Sequence, residues 1–255
     1  MTPPPDNRCP VGPYRCSADT TPELVARIHH VLSAPRRDGL LILCLNAHIF
    51  NAGWCDERLR TLLNGAEVLA ADGMSIVWAS RLSPPAIPER CNMTEAFRAF
   101  LAHPGTPAAS VTLIGCSEEE AHRAADAIRR LQPRLQIRHV ISGYDPVEAY
   151  PRRLAAETPT DLVLLGMGTP KSEEVGAALR ACWPSSVVWH VGGGTLLFLA
   201  GVQREAPGWM RRFGLQWLHR LLHEPGRMWR RYLIGNLLFV IRIAFRLRPE
   251  RGPRA

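Results

Sequence analysis

A chain of 255 residues with 46% hydrophobic content can bury the core of one large α/β domain, or of a domain with an appendage, which excludes global disorder. The net charge of +8 is lopsided: residues 204–255 carry 12 Arg and 3 Glu, whereas residues 1–203 carry 19 basic and 20 acidic side chains. The seven Cys are scattered and form no CxxC pair, which excludes a disulfide frame or a Cys-based zinc site and points to reduced thiols in the cytoplasm.

From the N-terminus, Met1–Asp6 has neither the basic start nor the apolar stretch of a signal peptide. Residues 1–19, rich in Pro and polar side chains, read as a flexible tail. A helix is expected from Thr21 (cap) and Pro22 (first turn) to about Leu32. Six short apolar runs follow: Leu40–Leu45, Val68–Ala71, Val111–Ile114, Ile137–Ile141, Leu162–Leu165 and Val187–Val191. Helical patterns at 56–63, 74–82, 94–102, 118–131, 146–157 and 172–182 separate them. Continuous apolar strands alternating with helices predict an α/β, Rossmann-like, mostly parallel sheet with helices on both faces over residues 20–203. Chemistry in such folds lies at the carboxyl ends of the strands.

Three candidate sites fall there. Asn46 ends the first strand and Asp72-Gly73 ends the second. Asp72 reads either as a helix cap or as a carboxylate held beside an amide, a general base for direct displacement at a sugar carbon. Gly166 and Gly168, ahead of Lys171 and Ser172, form a strand–turn–helix unit. It either admits a ligand anion to the helix N-terminus or is a structural turn. It is a poor dinucleotide fingerprint, because no third Gly and no acid about 20 residues on follow. Gly193 and Gly194 form a third turn, suited to a pyrophosphate or to close helix packing. His219 and His223 have i, i+4 spacing but no evident third ligand, so no metal site is expected, and no Asp-x-Asp pair occurs.

Beyond Gly201 the pattern is purely helical: one amphipathic segment from about Trp209 to His223, a Glu-Pro-Gly turn, and a second from about Met228. The run Tyr232–Phe245 has 14 residues and contains Arg242, whereas a membrane span needs about 18 or more nearly uncharged ones. Residues 204–255 therefore read as a basic, aromatic helical appendage that lies on an anionic membrane surface. The dense aliphatic content favours lipid over nucleic acid, so no nucleic-acid partner is expected. Arg211, Arg212, Arg231, Arg242, Arg246 and Arg248 are candidates for lipid headgroups.

The segment Ala206–Tyr232 is similar to the block "AP-x6-GLEWLxRLxxEPxRxxRR". With Leu45-Asn46, Ala71-Asp72-Gly73, Pro88-Glu89-Arg90, Gly143-Tyr144, Gly166-x-Gly168-x-Pro170-Lys171 and Gly193-Gly194, it makes the chain resemble the WecG/TagA/CpsF bacterial glycosyltransferases (glycosyltransferase family 26) from about Leu40 to Phe245. The resemblance implies inverting, metal-independent transfer of an N-acetylmannosamine-type sugar, or a related hexose or uronic acid, from a UDP-sugar, with no cofactor. The acceptor would be a polyprenyl-diphosphate-linked sugar at the cytoplasmic face of the cell membrane, in cell-surface polysaccharide synthesis. Asp72 matches the proposed base, Asn46 a position near the sugar site, Arg90 the substrate-binding arginine of the "PER" segment, Tyr144 a substrate-side landmark, and Arg220, Arg227 and Arg230 the arginines thought to reach the diphosphate. The chain departs from the pattern at Cys44 (threonine), Met93-Thr94-Glu95 (Gly-x-Asp), Ser172 (glutamine), Leu196-Leu197 (Phe-Asp), Glu205 (arginine) and Gln216 (glutamate). These predict a different donor sugar, with a catalytically altered or inactive nucleotide-binding relative as the alternative.

Overall fold

The computed structural model describes residues 7–35, 38–204, 206–212, 216–223 and 225–246. Each apolar run is a strand, and each helical pattern between them is a helix. The order is β1 (Arg8–Val11), β2 (Tyr14–Ser17), α1 (Thr21–Ser33), β3 (Leu40–Leu45), α2 (Ala47–Cys55), α3 (Glu57–Gly65), β4 (Val68–Ala71), α4 (Met74–Ser80) and α5 (Met93–Ala102). Then come β5 (Ala109–Gly115), α6 (Glu118–Leu131), β6 (Leu135–Ile141), α7 (Ala149–Leu154), β7 (Leu162–Gly166), α8 (Lys171–Cys182), β8 (Val187–His190) and α9 (Gly193–Leu199). The appendage holds α10 (Gly208–Arg212), α11 (Gln216–His223), α12 (Pro225–Trp229), a π-helical turn at Arg230–Ile234 and α13 (Gly235–Arg246).

The strands form one sheet in the order β1-β2-β4-β3-β8-β7-β5-β6, parallel throughout except for the β1–β2 pair. Helices α2, α3, α7 and α8 pack together, and α1, α5, α6 and α9 form a second group. Right-handed crossovers place the two groups on opposite faces. The connections leaving β3 and β7 turn to one face and those leaving β4 and β8 to the other, so a crevice opens above these four strand ends. Below it lies the core: Trp189 packs edge-on against Phe97 and Phe100, and its indole N–H points at the Met93 sulfur 3.4 Å away.

Two expectations at the N-terminus are corrected. Residues 8–17 are not a loose tail: they form a hairpin on the edge of the sheet, with Cys9, Val11, Tyr14 and Cys16 buried. Ser17 joins it to β4, accepting the Leu69 N–H at 3.1 Å, and the Tyr14 hydroxyl donates to the Phe50 carbonyl at 2.9 Å. Pro10 and Pro13 hide the two-residue alternation that marks a strand. The α/β unit thus already includes Arg8. The cap of α1 is Thr20, not Thr21, in a capping box with Glu23.

The appendage is attached through α2. Phe239 and Ile243 of α13 are buried, and the Phe239 ring meets Phe50 at 4.8 Å. Asn51 Nδ2 donates to the Gly235 carbonyl at 2.6 Å, and Arg242 Nη1 donates to Asn51 O (2.9 Å) and Oδ1 (2.8 Å). The Arg242 guanidinium also stands 5.5 Å from the Trp54 ring centre. Arg242 is therefore an internal clamp, and the expectation that it serves a lipid headgroup is corrected: its fork of donors is engaged on α2. Arg211, Arg212, Arg231, Arg246 and Arg248 have side chains outside the described residues. The opposite face of α13 leaves Leu237, Leu238, Val240, Ile241 and Phe245 exposed, and no helix among the described residues is long and apolar enough to cross a membrane.

Candidate active site

Asn46 follows β3 and caps α2, its Oδ1 accepting the N–H groups of His48 and Ile49 at 3.1 Å each. This use of the carbonyl end fixes the side-chain rotamer. Asp72 follows the neighbouring strand β4, and its backbone N–H donates to the Leu45 carbonyl at 2.9 Å. A Cβ built on Gly73 would lie 3.8 Å from that of Asn46, so the two strand ends are in contact. The residue at the capping position of α4 is Gly73, not Asp72. The carboxylate of Asp72 instead accepts the amide of Asn92 at 2.6 Å.

Asn92 was not among the sequence candidates. It caps α5, its Oδ1 accepting the Glu95 N–H at 3.1 Å, and the Cys91 N–H ties this segment to the Ala71 carbonyl at 3.0 Å. An Asn three residues before a Glu at a helix start is the signal that marks it. Arg90 is two residues away, and its Nη2 donates to both Glu95 carboxylate oxygens, at 3.0 and 2.9 Å. Glu95, where the family pattern has an aspartate, thus supplies a carboxylate to Arg90.

The chain of contacts continues to the glycine turns. Thr94 and Thr195 share a 2.8 Å hydroxyl bond, joining the start of α5 to α9. A Cβ on Gly193 would approach the Gly166 carbonyl to 3.0 Å, and one on Gly166 would overlap Leu196 Cδ1 at 2.5 Å. Gly166 therefore serves close packing of α9 on β7. Gly168, at φ +84° with open space around its Cα, holds the turn in the left-handed region that favours glycine. Lys171 Nζ donates to the Gly143 carbonyl at 2.7 Å and lies 5.3 Å from the Tyr150 ring centre. Tyr144 beside it is 78% exposed, and Gly194 lies in the first turn of α9.

Asn46, Asp72, Arg90, Gly166 and Gly193 are thus linked by a chain of contacts across the carboxyl ends of the strands, and Lys171 opens α8 after β7 on the same side. Ser172 is fully buried, and its hydroxyl accepts the Met167 N–H at 3.1 Å, so it stabilises the turn from within. Cys44, Met93 and Leu196 are buried as well, so these departures from the family pattern, with Ser172, are packing positions. Burial pushes the nearby thiols up, Cys91 to about 12 and Cys116 to about 11, so neither is a ready nucleophile at neutral pH.

In the appendage, Arg230 is exposed, with its guanidinium 5.2 Å from the Trp229 ring centre. The side chains of Arg220 and Arg227, as well as Gln216 and Glu205, lie outside the described residues. The rings of His219 and His223 stack 4.1 Å apart. Among the described residues, no three His, Cys, Asp or Glu side chains are grouped as a metal site would need.

A relative in Bacillus spizizenii (strain W23), an N-acetylglucosaminyldiphosphoundecaprenol N-acetyl-beta-D-mannosaminyltransferase, is 27% identical over 215 residues, covering 83% of this chain and 82% of the relative. A protein of the same description in Bacillus subtilis (strain 168) is 26% identical over 195 residues, covering 76% and 75%. The model of the "Glycosyl transferase WecG/TagA/CpsF family" matches residues 11–252, which include the N-terminal hairpin turn, both strand-end motifs, the glycine turns and the appendage. The chain belongs to that family of glycosyltransferases.

Proposed function

We propose that the protein transfers an N-acetylmannosamine-type sugar, or a related hexose or uronic acid, from a UDP-sugar to a polyprenyl-diphosphate-linked acceptor, with inversion and without a metal. The observation that carries this reading is Asp72, held by Asn92 at a strand end in direct contact with Asn46. A carboxylate held in place by an amide at a strand end can take a proton from an acceptor hydroxyl. The hydroxyl oxygen then bonds to the anomeric carbon as the bond from that carbon to the diphosphate oxygen breaks, and UDP leaves with the electron pair. The N-terminus of α8, a 12-residue helix, and the Lys171 ammonium favour an anion at that place. Arg220, Arg227 and Arg230 are proposed to add charge to the leaving diphosphate from the appendage.

The relatives' acceptor is an undecaprenol-linked diphosphate, a membrane lipid, which supports a peripheral position on the inner face of the cell membrane for this chain. The exposed apolar residues of α13 suit such a surface. The test is a transfer assay on the full-length protein with a panel of UDP-sugars and short-chain polyprenyl-diphosphate-GlcNAc. Transfer that falls at least about a hundredfold in Asp72→Asn supports the reading. No transfer from any donor, or an unchanged rate in the variant, overturns it, and UDP binding without turnover identifies the inactive relative instead.

A further inference from the structure

One buried polar pair beside the site has no task in the transfer just described. Glu173, in the first turn of α8, is fully buried, and His190, the last residue of β8, is 4% exposed. Glu173 Oε1 accepts the Thr169 hydroxyl at 2.8 Å and lies 3.5 Å from His190 Nδ1. The other carboxylate oxygen, Oε2, and His190 Nδ1 are both buried with no hydrogen-bond partner.

Stability does not account for such a pair. A buried carboxylate with an unmatched oxygen costs free energy, and replacing a buried ionic pair by apolar groups is often neutral or stabilising. Its place in the fold is more informative. Thr169 belongs to the turn after β7, and His190 leads directly into Val191-Gly192-Gly193, the turn after β8. The two turns touch: the N–H groups of Val191 and Gly192 both donate to the Leu165 carbonyl, at 3.0 and 3.2 Å. On the α8 side, the turn is closed by Ser172 N–H to Gly168 O at 2.8 Å and by the Thr169–Glu173 bond. Glu173 therefore meets both turns through side chains, one by the Thr169 hydrogen bond and the other by the 3.5 Å approach to His190.

We infer that Glu173 and His190 are positioning residues for the donor, holding the Gly166–Pro170 turn and the start of α8 in register with the Val191–Gly193 turn so that both face one diphosphate. Neither touches substrate; they act through the backbone of the two turns. The inference rests on the proposed transferase reading, and its test separates the two.

The full-length protein, Glu173→Gln and Thr169→Val are compared for UDP affinity by calorimetry, for donor KM and kcat, and for Tm. Loss of one hydrogen bond in the frame is expected to weaken UDP binding and raise donor KM about tenfold, with kcat nearly unchanged and Tm not lowered in proportion. Unchanged UDP affinity and donor KM in both variants, whatever Tm does, overturns the inference. Thr169→Val keeps the shape and removes only the hydroxyl bond, so it carries the test if Glu173→Gln does not fold. A wild-type protein that binds UDP without transferring sugar sinks the transferase reading, while the affinity comparison still decides this one. A wild-type protein that binds no UDP overturns both.

Discussion

Asn92 donates a 2.6 Å hydrogen bond to Asp72 Oδ1 while its own Oδ1 caps α5 through the Glu95 N–H. One amide thus fixes the orientation of the proposed base to the start of a helix. Asn92→Ser keeps a capping hydroxyl but is too short to make the same bond to Asp72. Loss of a hydrogen bond to a charged group is worth about 1.5–3 kcal/mol, so kcat is expected to fall about 10- to 100-fold with little change in Tm. Steady-state kinetics beside a melting curve checks this; a kcat near wild type would show that Asp72 needs no such partner.

Gly166 and Leu196 form a contact that leaves no room for a methyl group. The Cβ of Gly166→Ala would lie 2.5 Å from Leu196 Cδ1 and 2.9 Å from Cγ. Overpacking of this kind costs about 1–3 kcal/mol, readable as a lower urea midpoint. Combining it with Leu196→Ala should cost less than the sum of the two single changes, because the second relieves the clash made by the first. Strict additivity would mean that the two side chains do not share the space.

Asn51 and Arg242 clamp α13 to α2. Arg242→Ala removes two hydrogen bonds to Asn51 and the contact with Trp54. Amides of residues 235–246 should then exchange faster with deuterium, while those of β3 and β7 stay protected. Binding to anionic vesicles should persist, because Arg242 faces the protein. Unchanged exchange in α13 would transfer the attachment to Phe239 and Ile243 alone.

The appendage itself makes a separate prediction. Deleting residues 204–255 should abolish sedimentation with anionic liposomes, and about 0.5 M salt should weaken it for the full-length chain by screening the arginines. Continued sedimentation of the truncated protein would place the anchor elsewhere.

Two capping carboxylates make the acid limb of stability specific. Glu23 and Glu120 are held below the ordinary value of 4.5, first by backbone N–H bonds from Thr20 and Ser117 and then by the hydroxyls of the same residues. A depressed folded-state pKa adds stability above that ordinary value, which is lost as pH falls through the folded-state value. Both groups are solvent-screened, so the effect per group is small. Glu23→Gln with Glu120→Gln should flatten the decline of Tm below about pH 4.5 and leave the neutral region nearly parallel to wild type. An identical acid limb would remove these two groups from the account.

The parallel sheet was legible because its strands are continuous apolar runs. Leu40–Leu45 and Val68–Ala71 are strands with just those limits, and Glu118–Leu131 is a helix with the expected ones. Helix α2 escaped notice because Ala47–Cys55 is apolar around most of its circumference, so it carries no clear stripe. The hairpin of residues 8–17 was hidden by its prolines. At the site, Asn46 and Asp72 were readable from their places at strand ends, but the bond from Asn92 was not: a cap signal in sequence does not reveal what the other end of the amide will touch. Glu173 and His190 are 17 residues apart, and only the β7–β8 register brings them together.

The turn of the N-terminal hairpin forms part of the seat of α13. A Cβ on Gly12 would lie 3.0 Å from the Phe50 ring and 3.7 Å from Ile243 Cδ1, so the surface that receives the appendage combines the first strands made with α2. Chains emerge from the ribosome N-terminus first, and residue 243 emerges after every strand of the sheet. This helix, with its exposed apolar face, therefore follows the sheet out of the ribosome and finds its seat already built. During synthesis the apolar face of α13 has no time alone with an unfinished sheet, and the nascent α/β unit is spared a sticky neighbour until it has closed.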